Sequence, residues 1–198
     1  MSVANATTET KLVTGDELFE MGDIGPAELI DGRVVPMSPT GGRHGRIELR
    51  LGRQLDDYVT NLGNAWVVLG EVGIYIRRQP DRVRAADVAV FNKQTLPEVP
   101  EGYLPVAPDL AVEIVSPTDR WADLRQKVQD YFSIGVTRVW VVEPDNQAVL
   151  VFRSATEFTT LGLGDTLRGE GLLAGFEVPV ATVLENRPLR AATSNAPG

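Results

Sequence analysis

Two acids stand where apolar residues are expected. Asp87 lies in "RAADVAVF" and Glu113 in "PDLAVEIVSPTDR", each inside a run that otherwise reads as a buried strand. Strand side chains alternate between faces, so Glu113 shares its face with Ala111 and Val115, and Asp87 shares its face with Ala85, Ala89 and Phe91. An ionised carboxylate taken out of water costs on the order of several kcal/mol unless a cation, a metal ion or a cleft-facing position compensates it. If the two strands pair, the carboxylates converge at one end of a sheet. There they repel and raise one another's pKa unless a divalent cation lies between them. The plainer alternative leaves each acid at a strand end, exposed or bonded to a neighbouring arginine such as Arg84.

A lysine adds to the pattern. In "SPTDRWADLRQKVQDYFSIG", Trp121, Leu124, Val128, Tyr131, Phe132 and Ile134 form one apolar arc at helical spacing, with Asp123, Gln126, Gln129, Asp130 and Ser133 outside it. Lys127 falls inside the arc near its edge. Its ammonium either snorkels to solvent along its stem or reaches the carboxylates, in which case Glu113 shares its charge with a metal and an amine.

Composition narrows the chemistry. There is no cysteine and one histidine, His44, so thiol nucleophiles, zinc ribbons and paired-histidine metal sites are excluded. A metal must be held mainly by oxygen, which favours Mg²⁺, Mn²⁺ or Ca²⁺. The net charge of -8 argues against a protein that coats nucleic acid, and its plainest reading is solubility. One local exception is a stripe of Arg43, Arg46, Arg50 and Arg53, spaced three, four and three apart, which either contacts phosphates or forms an ordinary solvated face. No apolar run is long enough to span a bilayer and no signal-peptide pattern opens the chain, so a cytoplasmic protein is expected.

These residues need a scaffold, and 198 residues with 43% hydrophobic content suit one α/β domain over 13–187, with a frayed 1–12 and a loose 188–198. "TGDELFEM" predicts a short helix with Thr14 and Glu17 in a capping box. "AELIDGRVVPM" predicts a hairpin turning at Asp31-Gly32. From Arg43 to about Leu62, Ile47, Leu51, Leu55, Tyr58 and Leu62 recur at helical intervals. "AWVVLGEVGIYIR" and "RAADVAVF" predict strands, and the four-proline segment "NKQTLPEVPEGYLPVAP" predicts a loop. The strand around Glu113, a helix capped by Ser116 or Thr118 and stopped by Gly135, and the strand "VTRVWVVEP" form a parallel, right-handed strand–helix–strand unit. Short strands follow in "AVLVFRS", "EFTTLGLGDTL" and "GFEVPVATVLE".

In this order, "AELIDGRVVPMSP", His44, "RAADVAVF", "PDLAVEIVSPTDR", Lys127, Tyr131 and "GVTRVWVVEP" resemble the restriction-endonuclease domain often called the Uma-two family, of the PD-(D/E)XK nuclease superfamily. The resemblance runs from about Thr14 to about Glu185. It implies a restriction-endonuclease-like fold, a mixed central sheet with helices on both sides and extra hairpins. It matches Asp87 to the acid of the first motif and Glu113 to that of the second. The lysine usual two residues after the second acid is Val115 here, and Lys127 occupies the place of a lysine moved to the following helix. Ala86 replaces the proline usual before the aspartate. Glu28 matches an additional acid that ligates or orients, and His44 also matches, lying on the wheel with Leu51, Leu62 and Glu48; Glu48 itself has no clear counterpart.

The implied activity is a metal-dependent endonuclease. Asp87, Glu113 and the carbonyl of Ile114 would hold Mg²⁺ or Mn²⁺, Lys127 would orient water or stabilise charge, DNA would be the substrate, and a homodimer would pair two sites to cut both strands. Two other readings stay open: a nuclease-like module that binds nucleic acid or protein without cutting, and a metal-dependent hydrolase of a small molecule.

Overall fold

Residues 11–184 are described by a computed structural model. The expected tails fall outside this range apart from Lys11 and Leu12, and Lys11 pairs with Glu17 at 2.9 Å. The elements run α1 (Gly15–Glu20), β1 (Ala27–Ile30), β2 (Arg33–Pro36), α2 (Gly42–Leu62), β3 (Ala65–Arg77), β4 (Arg82–Asn92), β5 (Leu110–Ile114), α3 (Trp121–Ser133), β6 (Arg138–Glu143), β7 (Ala148–Phe152), β8 (Phe158–Leu161), β9 (Thr166–Arg168), β10 (Glu177–Pro179) and α4 (Val180–Leu184).

Eight strands form one sheet in the order β2-β1-β4-β5-β6-β7-β8, with β3 also paired to β4. Every pairing is antiparallel except β5 with β6, the pair joined through α3. That is the geometry a strand–helix–strand crossover imposes. β5 is buried along its whole length, which suits a strand covered on both faces. On one face α2 packs Leu51, Leu55 and Val59, and α4 packs Val180 and Val183, in one core with Val112 and Trp140. On the other, α3 packs Val128 and Tyr131 against Phe91, Ala111 and Val141.

Local signals account for most of these elements. Thr14 accepts from the Glu17 backbone while the Glu17 side chain accepts from the Thr14 backbone, the reciprocal capping box that the spacing predicts. Asp31 and Gly32 take φ of 53° and 76°, the left-handed pair of a tight hairpin turn. Gly135, at φ 98°, ends α3.

The structure departs from expectation at four points. α3 begins at Trp121 behind Arg120 without a side-chain cap. Ser116 and Thr118 do not cap it, because Ser116 to Asp119 close a turn of their own in which the Ser116 N–H donates to Asp119 at 2.8 Å. Trp121 and Leu62 lie exposed at the ends of their helices, the last buried residue of α2 being Val59. Asp130, outside the apolar arc by spacing, is buried. The long strand β3 breaks its register between Leu69 and Val72, where Gly70 and Glu71 take φ of 90° and 57°. An isolated glycine in a strand run marks such a bulge.

Candidate active site

The β4–β5 ladder runs only from Val90↔Leu110 to Val88↔Val112. Beyond it, where no further pair forms, Asp87 fills the fork: its Oδ2 accepts the Ile114 N–H at 2.6 Å and lies 3.3 Å from His44 Nε2. The two periodicities therefore do what the sequence predicts, bringing Asp87 and Glu113 to the same end of the sheet. Both are buried, at 7% and 6% exposure. They line a cavity of about 580 Å³ together with Glu28, His44, Ile114 and Lys127.

The question of how Glu113 is tolerated has a direct answer. Lys127 Nζ donates to Glu113 Oε2 at 2.5 Å, and the Tyr131 hydroxyl donates to Oε1 at 2.6 Å. Both donors project from α3, one helical turn apart, and Glu113 points to that face. Lys127 does not snorkel. Its ammonium also donates to the Ala85 carbonyl at 2.8 Å and lies 3.4 Å from Glu28 Oε1. Burial pushes the Glu113 carboxyl up to about 7, against the pull of the Lys127 ammonium. Burial alone would lower the Lys127 amine, but Glu113 and then Glu28 hold it well above the ordinary lysine range. Burial and the adjoining Glu113 keep the Tyr131 hydroxyl protonated far above its usual range.

Glu28 arrives from β1. Its Oε1 accepts the Ala85 N–H at 3.0 Å and its Oε2 accepts Arg84 Nη1 at 2.7 Å. Arg84 does not bond Asp87 or Glu113 as the plainer alternative supposed. It joins Glu28 to Asp130, which it reaches through Nε at 2.7 Å. Asp130 also accepts from Arg82 at 2.8 Å, and Arg82 continues to Asp31 at 2.8 Å.

His44 is buried at 7% exposure, and its Nδ1 has no hydrogen-bond partner among the described residues. Burial opposes its protonation, but the Asp87 contact outweighs this and raises its pKa. Glu71 was not singled out by sequence reasoning; the β3 bulge turns it to the cavity wall, and burial followed by the Asp87 charge raises its carboxyl pKa. The "LGE" interruption of the strand was the readable signal. Glu48 behaves similarly while accepting the Gly70 N–H at 2.8 Å.

The four arginines of α2 do not form one exposed stripe. Arg50 is buried, at 4% exposure. Arg43 donates to Asp145 at 2.7 Å and to the Pro144 carbonyl. Arg46 is half-buried, and Arg53 is exposed beside Asp57 at 3.5 Å.

Among the described residues no three His, Asp or Glu side chains form a ready-made cation cage. The donor chemistry still fits a hard divalent ion. Two acids on adjacent strands and a backbone carbonyl are oxygen donors of the kind Mg²⁺ takes alongside several waters. The cavity wall also carries Glu28 and Glu71, so carboxylates there outnumber the cations Lys127, Arg84 and Arg120 once Asp119 and Asp123 are included.

Known proteins agree with this architecture. A crystal structure of a putative nuclease from Anabaena variabilis superposes with a TM-score of 0.75, at 20% identity, covering 87% of this chain and 97% of that one. No curated protein matches. A family model described as "Putative restriction endonuclease" matches residues 16–181. With its motifs placed at one end of one sheet, the chain belongs to the Uma-two family.

Proposed function

We propose that this chain is a divalent-metal-dependent endonuclease that hydrolyses phosphodiester bonds in DNA at the floor of this cleft. The observation that carries the reading is the Lys127 ammonium, delivered from α3 rather than from β5, 2.5 Å from Glu113 and on the wall shared with Asp87. Asp87, Glu113 and the Ile114 carbonyl would hold Mg²⁺ or Mn²⁺, which when bound supplies charge neutralisation at a phosphate oxygen and a more acidic water. The chain's own residues do the rest. An ammonium has three donors; Lys127 commits two at 2.5 and 2.8 Å, while its 3.4 Å approach to Glu28 is long. That third donor is the one free to turn toward a phosphate oxygen or an attacking water. Tyr131 and Ile114 fix the two acids, and His44 holds Asp87 from the opposite side.

Nicking of supercoiled plasmid with Mg²⁺ or Mn²⁺ tests this. We expect wild type to nick and chelator to abolish it. Asp87→Ala and Lys127→Ala should each lower the rate by about 10²-fold or more while DNA binding persists. Wild type that binds DNA without cutting would favour a nuclease-like binding module, and absence of both binding and cutting would redirect the search to a small substrate.

A further inference from the structure

A catalytic lysine carried on a strand is held by the strand's own ladder of hydrogen bonds. One carried on a helix is not, since helix backbone bonds are satisfied internally, and the amine is placed only as well as the helix docks. Here Val115 stands where the strand lysine would be, and Lys127 must be positioned from α3. The buried ion pairs beside it supply what the ladder does not. Arg84, on β4, reaches α3 through Asp130 at 2.7 Å, three residues beyond Lys127, so that it fixes the helix one turn from the amine. Through its other nitrogen it holds Glu28 Oε2 at 2.7 Å, and the opposite oxygen of that carboxylate faces Lys127 Nζ at 3.4 Å. One guanidinium thus controls both the helix that carries the lysine and the acid that flanks it. Arg82 doubles the hold on Asp130 at 2.8 Å. A rigid planar fork fixes the angle and separation of the two carboxylates it spans, whereas an ammonium on a flexible stem fixes neither.

We propose that Arg84 and Asp130 are positioning residues that clamp α3 to β4 and so set the place of the Lys127 amine, an inference that rests on the nuclease reading for its catalytic consequence but not for its structural one. Neither residue touches the cleft-floor acids Asp87 or Glu113.

The test reads the amine itself. The chain has three lysines, Lys11, Lys93 and Lys127, so the ¹⁵N-labelled side-chain ammonium spectrum is short, and loss of one signal in Lys127→Ala assigns it. Only Lys127 lies in a buried cage of oxygens, and slow proton exchange should make its signal visible. Arg84→Gln takes one cation away from two buried carboxylates, so it is paired with the Arg84→Gln/Asp130→Asn double, which removes the clamp and leaves Glu113 and Glu28 against the amine, Glu28 still accepting the Ala85 N–H. We expect the Lys127 signal to shift or to broaden away in whichever of these folds by thermal melt. We further expect plasmid-nicking kcat to fall ten-fold or more with KM within about two-fold. In a Lys127→Ala background the double should add no further loss, since the clamp acts through that amine, and Arg84→Lys should not rescue. An unchanged lysine signal in the folded double, or losses that multiply with Lys127→Ala, would overturn the clamp. A wild type that fails to cut would sink the nuclease reading alone, and the ammonium spectrum would still decide the clamp.

Discussion

Glu113 sits where an unpaired carboxylate would cost several kcal/mol, and the two α3 donors that meet its oxygens offset part of that cost. Burial still leaves its carboxyl raised to about 7, and this has a consequence for any cation it holds. A cation binds the ionised form, so the proton and the metal compete. As pH falls through 7 Glu113 takes up its proton and affinity drops; as pH rises above 7 the dependence flattens. We expect Mn²⁺ affinity measured by calorimetry to weaken by up to about ten-fold per pH unit below 7, and Glu113→Gln to bind weakly without that slope. A slope that survives in Glu113→Gln would assign the proton to another group. Asp87, Glu113 and Lys127 were readable from sequence because each follows from one local period, two on a strand and 3.6 on a helix. The Arg84–Asp130 pair was not: its members are 46 residues apart, and a helical wheel shows that Asp130 leaves the apolar arc but not that a guanidinium waits for it.

Elements were legible where a turn or cap has chemistry of its own, as at Thr14, Asp31-Gly32 and Gly135. They were misjudged where two local structures compete for the same residues, as at Ser116 to Asp119, whose turn displaces the helix start. The Asp31-Gly32 hairpin matters to the site because β1, which carries Glu28, pairs with β4 only at Leu29↔Val83. Beyond that pair the hairpin is held by Glu28 itself, on the Ala85 N–H and Arg84, and at its turn by the Gly32 N–H on the Asp81 carbonyl and the Asp31–Arg82 contact, both at 2.8 Å. Gly32 has φ 76°, and a Cβ added there would fall 2.8 Å from Leu12 Cβ. An L-residue in that region costs about 1–2 kcal/mol before the clash is counted. Gly32→Ala should therefore lower unfolding free energy by about 1–3 kcal/mol in urea titration, whereas Gly164→Ala, exposed in a turn with open space around it, should change it by less than about 0.5 kcal/mol. Equal stability of Gly32→Ala and wild type would mean that the turn does not constrain the hairpin.

At the scale of the molecule, a net charge of -8 must be reconciled with the polyanionic substrate we propose, and the fate of the α2 arginines sets the terms. A helical spacing of three and four cannot say which side of the helix faces the core; the structure buries Arg50 beside Leu51 and leaves Arg53 out. Each phosphate neutralised on duplex DNA steepens the fall of log Kobs with log salt by about 0.9, so the slope counts contacts independently of cutting. Four arginines in contact would contribute about 3.6 to it. With Arg50 inside and Arg43 engaged by Asp145 and Pro144, we expect a smaller contribution. Arg46→Ala and Arg53→Ala should each reduce the slope by about 1, the latter because its exposed i,i+4 pair with Asp57 is weak enough to exchange for a phosphate. Arg50→Ala should leave the slope unchanged and instead lower stability by about 2 kcal/mol or more, since its buried stem and charge belong to the packing of α2. Fluorescence anisotropy on a short duplex across a salt series, with Ca²⁺ in place of Mg²⁺ to prevent cutting, measures all three. A slope indifferent to Arg46 and Arg53 would move the DNA path away from α2 altogether, and a slope that fell with Arg50 would require the helix to turn that residue outward on binding.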